Sequence, residues 1–334
     1  MITSTVRRKL SIAIAVAVFM ATVLVGKGQA VVSSVQAAKL VPFFSNVYSL
    51  VNLGSVRQLP PAYGGLTFKP RDPNTLLIGG LADTPDSEIY SVKVRRGRDK
   101  HINGFEAATF FAKSPGTGVG GIDAGLTYNP KGNVLFYTTY DDNSIGQIKR
   151  GSRQPNKQIA LNSIGIASSV GALGFVPEGF AGAGRLKITS YSANLFYDTT
   201  ITPDRSGTYD ISRPSKSTKL SGGVDSFVYI KAGNPRFTKD SLLMAEYDTN
   251  KISAYTIDAK GDPIAATRRD FITGISDHSP TALTGTIGAT VDPMTGDVLF
   301  STFFENDPAK SKIFAVRGFT KQASCTELQW GYCR

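Results

Sequence analysis

Apolar residues along this chain come in short alternating runs, not in the three-to-four spacing of amphipathic helices. The first run of each set is "GGLTFKP" (64–70), "AGLTYNP" (124–130), "GALGFVP" (171–177), "DSFVYIK" (225–231) and "IGATVDP" (287–293). A turn rich in Gly, Pro, Asn or Asp follows, then a second run: "TLLIGG" (75–80), "VLFYTTY" (134–140), "RLKITSY" (185–191), "SLLMAEY" (241–247) and "DVLFSTF" (297–303). A third run follows in "EIYSVKV" (88–94), "KISAYTI" (251–257) and "KIFAV" (312–316). Outer fourth strands are expected in "EAATFFA" (106–112) and "ATRRDFI" (266–272).

Runs rich in Val, Ile, Phe, Tyr and Thr and cut by turn residues read as strands. Four short antiparallel strands returning every fifty or so residues predict an all-β fold, a β-propeller of four-stranded blades. Units start near residues 64, 121, 170, 223 and 285, so five blades are expected, with six as the alternative. The fifth unit runs out after three strands, while "VYSLVNLGSVRQL" (47–59) stands alone ahead of the first. Pairing that segment with the fifth blade would close the ring and hide two exposed edges.

The ends add a compartment. Arg7, Arg8 and Lys9 precede the apolar run Leu10 to Val25, and Val35-Gln36-Ala37 supplies small residues for cleavage. That run is shorter than a membrane span of about twenty residues and suits a signal peptide over 1–37. Segment 38–63 then completes the last blade, 64–318 holds the repeats, and 319–334 is a tail. Loss of Arg7, Arg8, Lys9 and Lys27 lowers the formal charge from +11 to +7. An exported protein is expected, periplasmic or extracellular, with no membrane span after cleavage. No zinc spacing, aromatic-and-basic motif or recognition helix supports nucleic acid as a partner. In that compartment Cys325 and Cys333 are expected to form a disulfide that pins the tail.

At "GDPIAATRRDFITG" (261–274), "DPMTGDVLFSTF" (292–303) and "VRGF" (316–319) the chain resembles secreted bacterial propellers that often carry a PEP-CTERM sorting tail. The resemblance is strongest over 224–319 and implies the fold and export, but supplies no mechanism. The sequence ends in "CTELQWGYCR", without a Pro-Glu-Pro box. More distantly it is similar to NHL and gluconolactonase-like propellers, some of which hold calcium in the central channel.

Strands alternate in direction outward from the axis, so the 4–1 and 2–3 connections share one face. On it should lie four aromatic-x-x-Asn turns: Tyr140/Asn143, Tyr191/Asn194, Tyr247/Asn250 and Phe303/Asn306. Such a ring suits stacking and hydrogen bonding to a sugar or other polar ligand. Turn chemistry alone also places Asn there, because Asn tolerates left-handed geometry, and that reading is preferred. Asp123 and Asp225 enter their first strands on the same face; strand-entry caps are the preferred reading, and as candidate metal ligands, with calcium the candidate ion, they would make only a weak site. His278 is the one evident general base on this face, although a solvated loop histidine is the better reading of it. It has no triad, since adjacent Asp277, His278 and Ser279 cannot converge.

On the opposite face, "RRGRDKH" (95–101) and "KRGSRQPNK" (149–157) place Arg95, Arg96, Arg98, Lys100, Lys149, Arg150, Arg153 and Lys157 in one basic sector. That sector suits an anionic glycan, an envelope component or an acidic protein, although solvated hairpin tips are the commoner outcome for charge in turns. The glycine-rich stretches 116–121 and 179–184 lack the context of a phosphate loop and read as connections. The expected function is therefore an exported, non-catalytic binding propeller. The alternative is a metal-dependent hydrolase or lactonase with its site at the channel mouth.

Overall fold

The computed structural model describes residues 38–274, 285–303 and 311–320. The expected signal peptide, His278 and its neighbours, Asn306, and Cys325 with Cys333 lie outside these residues. Five antiparallel sheets stand around one axis, four strands to a blade. In the second blade the order from the axis outward is Ile122–Tyr128, Val134–Thr139, Ser144–Lys149 and Lys157–Ala160. The third runs through Val170–Phe175, Leu186–Ser190, Leu195–Thr199 and Lys216–Lys219. An extra hairpin, Ile201–Pro203 with Tyr209–Ile211, is inserted before its last strand. In the fourth blade, Val224–Ile230 is innermost, and Lys39–Leu40 adds a fifth strand outside Arg269–Thr273.

The first blade starts with Leu66–Lys69, and its third strand, Glu88–Arg96, pairs outward with two separate pieces, Ile102–Phe105 and Thr109–Lys113. The fifth blade contributes Gly285–Val291, Val298–Phe303 and Ile313–Arg317. Its outer strand is Ser49–Gly54, from the other end of the chain, with Leu50 opposite Val316. The ring is thus closed by pairing a strand from before the first blade with the last. Among the described residues no helix is long and apolar enough to cross a membrane.

Apolar packing follows the same closure. Each junction between neighbouring blades has its own buried cluster. Leu66 and Ile78 meet Leu299 and Ile313 between the first and fifth blades, for example, and Leu77 meets Leu135 between the first and second. The alternation of each strand gives it two apolar faces, because both faces of a blade are covered by neighbours.

Nearer the axis the blades are tied by hydroxyl groups on the second strands. The Thr138 hydroxyl accepts from the Gly125 N–H at 2.9 Å and donates to the Gly171 carbonyl of the next blade at 2.6 Å. Thr189 accepts from Ala172 at 2.7 Å and donates to the Asp225 carbonyl at 3.0 Å. Ser301 accepts from Gly288 at 3.0 Å and reaches the Gly64 carbonyl at 2.8 Å, joining fifth blade to first. In the first blade Gly79 stands where these hydroxyls do, and the Gly65 N–H bonds the Asp123 carbonyl directly at 2.7 Å. A side chain at Gly65 would put its Cβ 2.6 Å from the Ala124 carbonyl oxygen, so this closer approach needs glycine.

Thr138→Val keeps the shape and removes the hydroxyl, leaving a buried N–H and a buried carbonyl unpartnered. The expected cost is about 1–3 kcal/mol, read as a lower urea midpoint. Thr109→Val, which removes an exposed hydroxyl bond of the same kind, should stay within about 0.5 kcal/mol. Equal effects would contradict the tie.

Candidate active site at the channel mouth

The expected turns lie where the second strands give way to the third. Asn143, Asn194 and Asn250 have φ of 43°, 51° and 52°, the left-handed conformation that Asn tolerates. Their N–H groups bond the carbonyls of Tyr140, Tyr191 and Tyr247 at 3.1, 3.0 and 3.2 Å. The side chains look outward to the chain crossing into the next blade. Asn143 donates to the Ile166 carbonyl, and Asn194 accepts from the Gly223 N–H. The asparagines of the motif are therefore turn residues, and Asn143 through its amide N–H and Asn194 through its oxygen also clamp the following crossing.

The aromatics behave differently. Tyr140 meets Tyr191 edge to face at 5.7 Å, and Tyr191 meets Tyr247 in the same way at 6.0 Å, so three blades present one continuous arc of phenols. Phe303 does not extend it. It is buried among Ala62, Ala82, Ala124, Ala172 and Ile287, where alanines from the first three blades and the segment before them crowd the axis. The Tyr191 hydroxyl donates to Asp248, and burial together with that carboxylate raises its pKa. Tyr247 is raised by burial first and then by Asp225, so both phenols remain proton donors.

Asp123 and Asp225 occupy matching bulges in the innermost strands of the second and fourth blades. Both are 4% exposed. Gly171 holds the matching place in the third blade, and a Cβ on it would come 2.8 Å from Oδ1 of Asp225. The carboxylate leans into room that glycine leaves open. Burial is the main cause of a strongly raised pKa at both acids. Asp83 and Asp225 then act on Asp123, and Asp83 and Asp248 act on Asp225.

Their isolation is the unusual feature. The other buried carboxylates have cations close by: Asp198 and Asp262 share Lys187, Glu246 holds Arg268, Asp292 holds Arg96 and Asp297 meets His101, all at 2.5 to 2.6 Å. Among the described residues no lysine, arginine or histidine pairs with Asp123 or Asp225. Oδ1 of Asp225 has no hydrogen-bond partner at all. An ionised carboxylate in that position is costly, so the site favours a shared proton or a cation.

Asp83 was not foreseen. It lies in the 2–3 connection of the first blade, which carries neither the aromatic nor the Asn of the other turns. Its φ of 62° and its N–H bond to the Ile122 carbonyl bring it beside Asp123. The signal available was its position, one turn after a second strand on the shared face. The glycine-rich stretch 116–121 is a connection, as expected: Asp142 accepts from the Val119 and Gly120 N–H groups at 3.0 and 3.1 Å.

The basic sector is only partly a sector. Arg96 is turned into the junction with the fifth blade, where it grips Asp292 at 2.6 and 2.9 Å. Lys157 is neutralised by Asp204 and Asp210 of the inserted hairpin, at 2.7 and 2.6 Å. Arg95, Arg98 and Lys100 are exposed, while Lys149, Arg150 and Arg153 line a groove beside the second blade.

No family model and no curated protein matches the chain. Solved propellers do. The PQQ-bound aldose sugar dehydrogenase of Streptomyces coelicolor is 12% identical with a TM-score of 0.38, over 81% of this chain and 98% of that one. The soluble aldose sugar dehydrogenase of Escherichia coli is 9% identical with a TM-score of 0.41, over 79% and 85%. A Bacteroides uniformis protein assigned provisionally as a 6-phosphogluconolactonase is 12% identical with a TM-score of 0.41, over 71% and 63%. These are described as enzymes, and the expectation of a non-catalytic binder is corrected accordingly. The carboxyls described above bear on its alternative, chemistry at the channel mouth.

Asp225→Asn removes a group that holds its proton in the fold above the range where the unfolded chain releases it. Between about pH 4 and that raised value the folded state binds more protons, so stability falls as pH rises. The variant should therefore melt at least about 2–4 °C higher than the parent at pH 7.5. The gain should vanish toward about pH 4. A variant destabilised at pH 7.5, or a gain independent of pH, would count against the assignment.

Proposed function

We propose that this propeller is a hydrolase of small, hydroxyl-rich esters, of which sugar lactones are the simplest class, with its site at the channel mouth. The observation that carries the reading is the pair of buried carboxyls, Asp123 and Asp225, without a described counter-ion beside an arc of phenols. Two carboxyls held close to other carboxyls share protons, so one serves as acid while the other is an ionised base.

The substrate ring rests against the edges of Tyr140, Tyr191 and Tyr247, and their hydroxyls meet its polar groups. Asp225, whose Oδ1 is buried and unpartnered, takes a proton from water as the water oxygen bonds to the lactone carbonyl carbon. Asp123, under the charge of Asp83 and Asp225, keeps its proton and delivers it to the ring oxygen as that C–O bond breaks. The product is the hydroxy acid, and the carboxyl pair ends with its proton exchanged.

Calcium is the cation these oxygens would suit, and Asp123 and Asp225 would supply its carboxylates. It takes six to eight oxygens, however, and among the described residues no three acidic, histidine or cysteine side chains converge on one point. The step is therefore written with the side chains alone. A tricarboxylated quinone such as PQQ would meet repulsion from Asp83, Asp123 and Asp225, so the described mouth does not fit it. Export through the segment 1–37 is part of the same proposal and matches a substrate met outside the cytoplasm.

A pH-stat assay on a panel of aldonolactones tests the reading. Turnover above the spontaneous rate is expected, falling about 10²- to 10⁴-fold in Asp123→Asn and in Asp225→Asn. Tyr191→Ala should mainly raise KM. No turnover on any member of the panel, or parental rates in both aspartate variants, would overturn it.

A further inference from the structure

On the face opposite the acidic mouth, the first and second blades leave a groove of about 610 Å³ between them. Its rim carries Lys69 and Arg71 from the 1–2 turn of the first blade and Lys131 from that of the second. Lys149, Arg150 and Arg153 come from the 3–4 turn of the second blade. No aspartate or glutamate lines it. The walls are Phe111, Tyr128, Leu135 and Ile148. That volume lies within the range of small-molecule sites, which are apolar bodies with a few placed polar groups.

The gathering of six cations around one concavity, with no carboxylate among them, sets the groove apart. Several lysines elsewhere are matched: Lys113 with Glu88, Lys216 with Asp258, Lys231 with Asp240, Lys251 with Asp270. Lys69, Arg71, Lys131 and Arg150 have no ion pair among the described residues. Lys149 reaches only the Ser206 carbonyl at 3.2 Å, and the Arg153 guanidinium sits over the Phe110 ring at 5.1 Å. Six like charges around one concave surface repel one another and lower stability, an arrangement that an anion would relieve.

From this we infer that the groove between the first two blades is a binding site for an organic polyanion. Its ligand has a ring-sized apolar body bearing two or more phosphate or carboxylate groups. The body packs against Tyr128 and Phe111 while the anionic groups span Lys69 and Arg71 on one side and Lys131 and Arg150 on the other. Guanidinium forks favour bidentate contact with either kind of group. The Tyr128 phenol, raised to about 12 by burial against the opposing pull of Arg150, stays protonated and donates as well. None of these residues belongs to the channel mouth, so this site stands or falls independently of the lactone chemistry.

Titration calorimetry on the full chain at low salt tests it with two probes, inositol hexakisphosphate and trigalacturonate. At least one is expected to bind, and the tighter of the two identifies a phosphorylated or a carboxylated ligand. Binding should weaken at least about tenfold in the Lys131→Ser/Arg150→Ser double variant. Arg95→Ser/Arg98→Ser, which removes two exposed cations outside the groove, should bind within about twofold of the parent. The groove variant should also melt higher than the parent at low salt, an advantage that salt erases. No binding of either probe, or equal weakening in both double variants, would overturn the inference.

Discussion

Hydroxyl groups tie three of the five blade junctions near the axis, and a direct backbone bond from Gly65 ties a fourth. Thr138, Thr189 and Ser301 each accept from a bulged inner strand of their own blade and donate to the inner strand of the next. A blade alone cannot satisfy these bulged strands, so five blades make sense only as a closed set. The same bulges carry Asp123 and Asp225, and the Asp225 carboxylate lies beside Gly171 of the third blade. Closure and site are thus one feature of the backbone seen from two sides.

Two treatments of buried charge coexist in this fold. Between the third and fourth blades, Lys187 is fully buried against Asp198 and Asp262, with Arg185 and Lys216 completing the network. Burial raises Asp198, but hydrogen bonds from Arg185, Lys187 and Ser215 outweigh it and hold the carboxyl well below its ordinary range. At the channel mouth burial and neighbouring carboxylates outweigh the backbone hydrogen bond from Ala124 to Asp123, and the shift runs the other way at both acids. The first arrangement fixes blade geometry. The second leaves two buried carboxyls with raised pKa values and no described counter-ion, and the proposed chemistry rests on that contrast.

The ring of five blades was legible in the sequence because each blade face is apolar and each turn is punctuated by Gly, Pro, Asn or Asp. Asp123, Asp225 and the three tyrosines were legible as well, since blade topology alone assigns them a common face. Asp83 was not, because its turn keeps the position and loses the motif. The hairpin Ile201–Pro203/Tyr209–Ile211 was also missed, and with it the carboxylates that neutralise Lys157. Lys69, Arg71 and Lys131 read as ordinary cations in turns until the adjacency of two blades gathers them around one groove. Single residues far apart in sequence carry no period, so only the assembled ring shows what they do together.

The carboxyl carbons of Asp123 and Asp225 report most directly on the central claim. In a chain labelled at aspartate carboxyls, their ¹³C shifts can be followed against pH and assigned with the Asp123→Asn and Asp225→Asn variants. Two linked titrations are predicted, both with midpoints well above the ordinary aspartate value of about 3.9, and removal of either acid should lower the midpoint of the other. Independent midpoints near about 4 would contradict the account, because they would mean that the channel mouth holds two ordinary solvated aspartates.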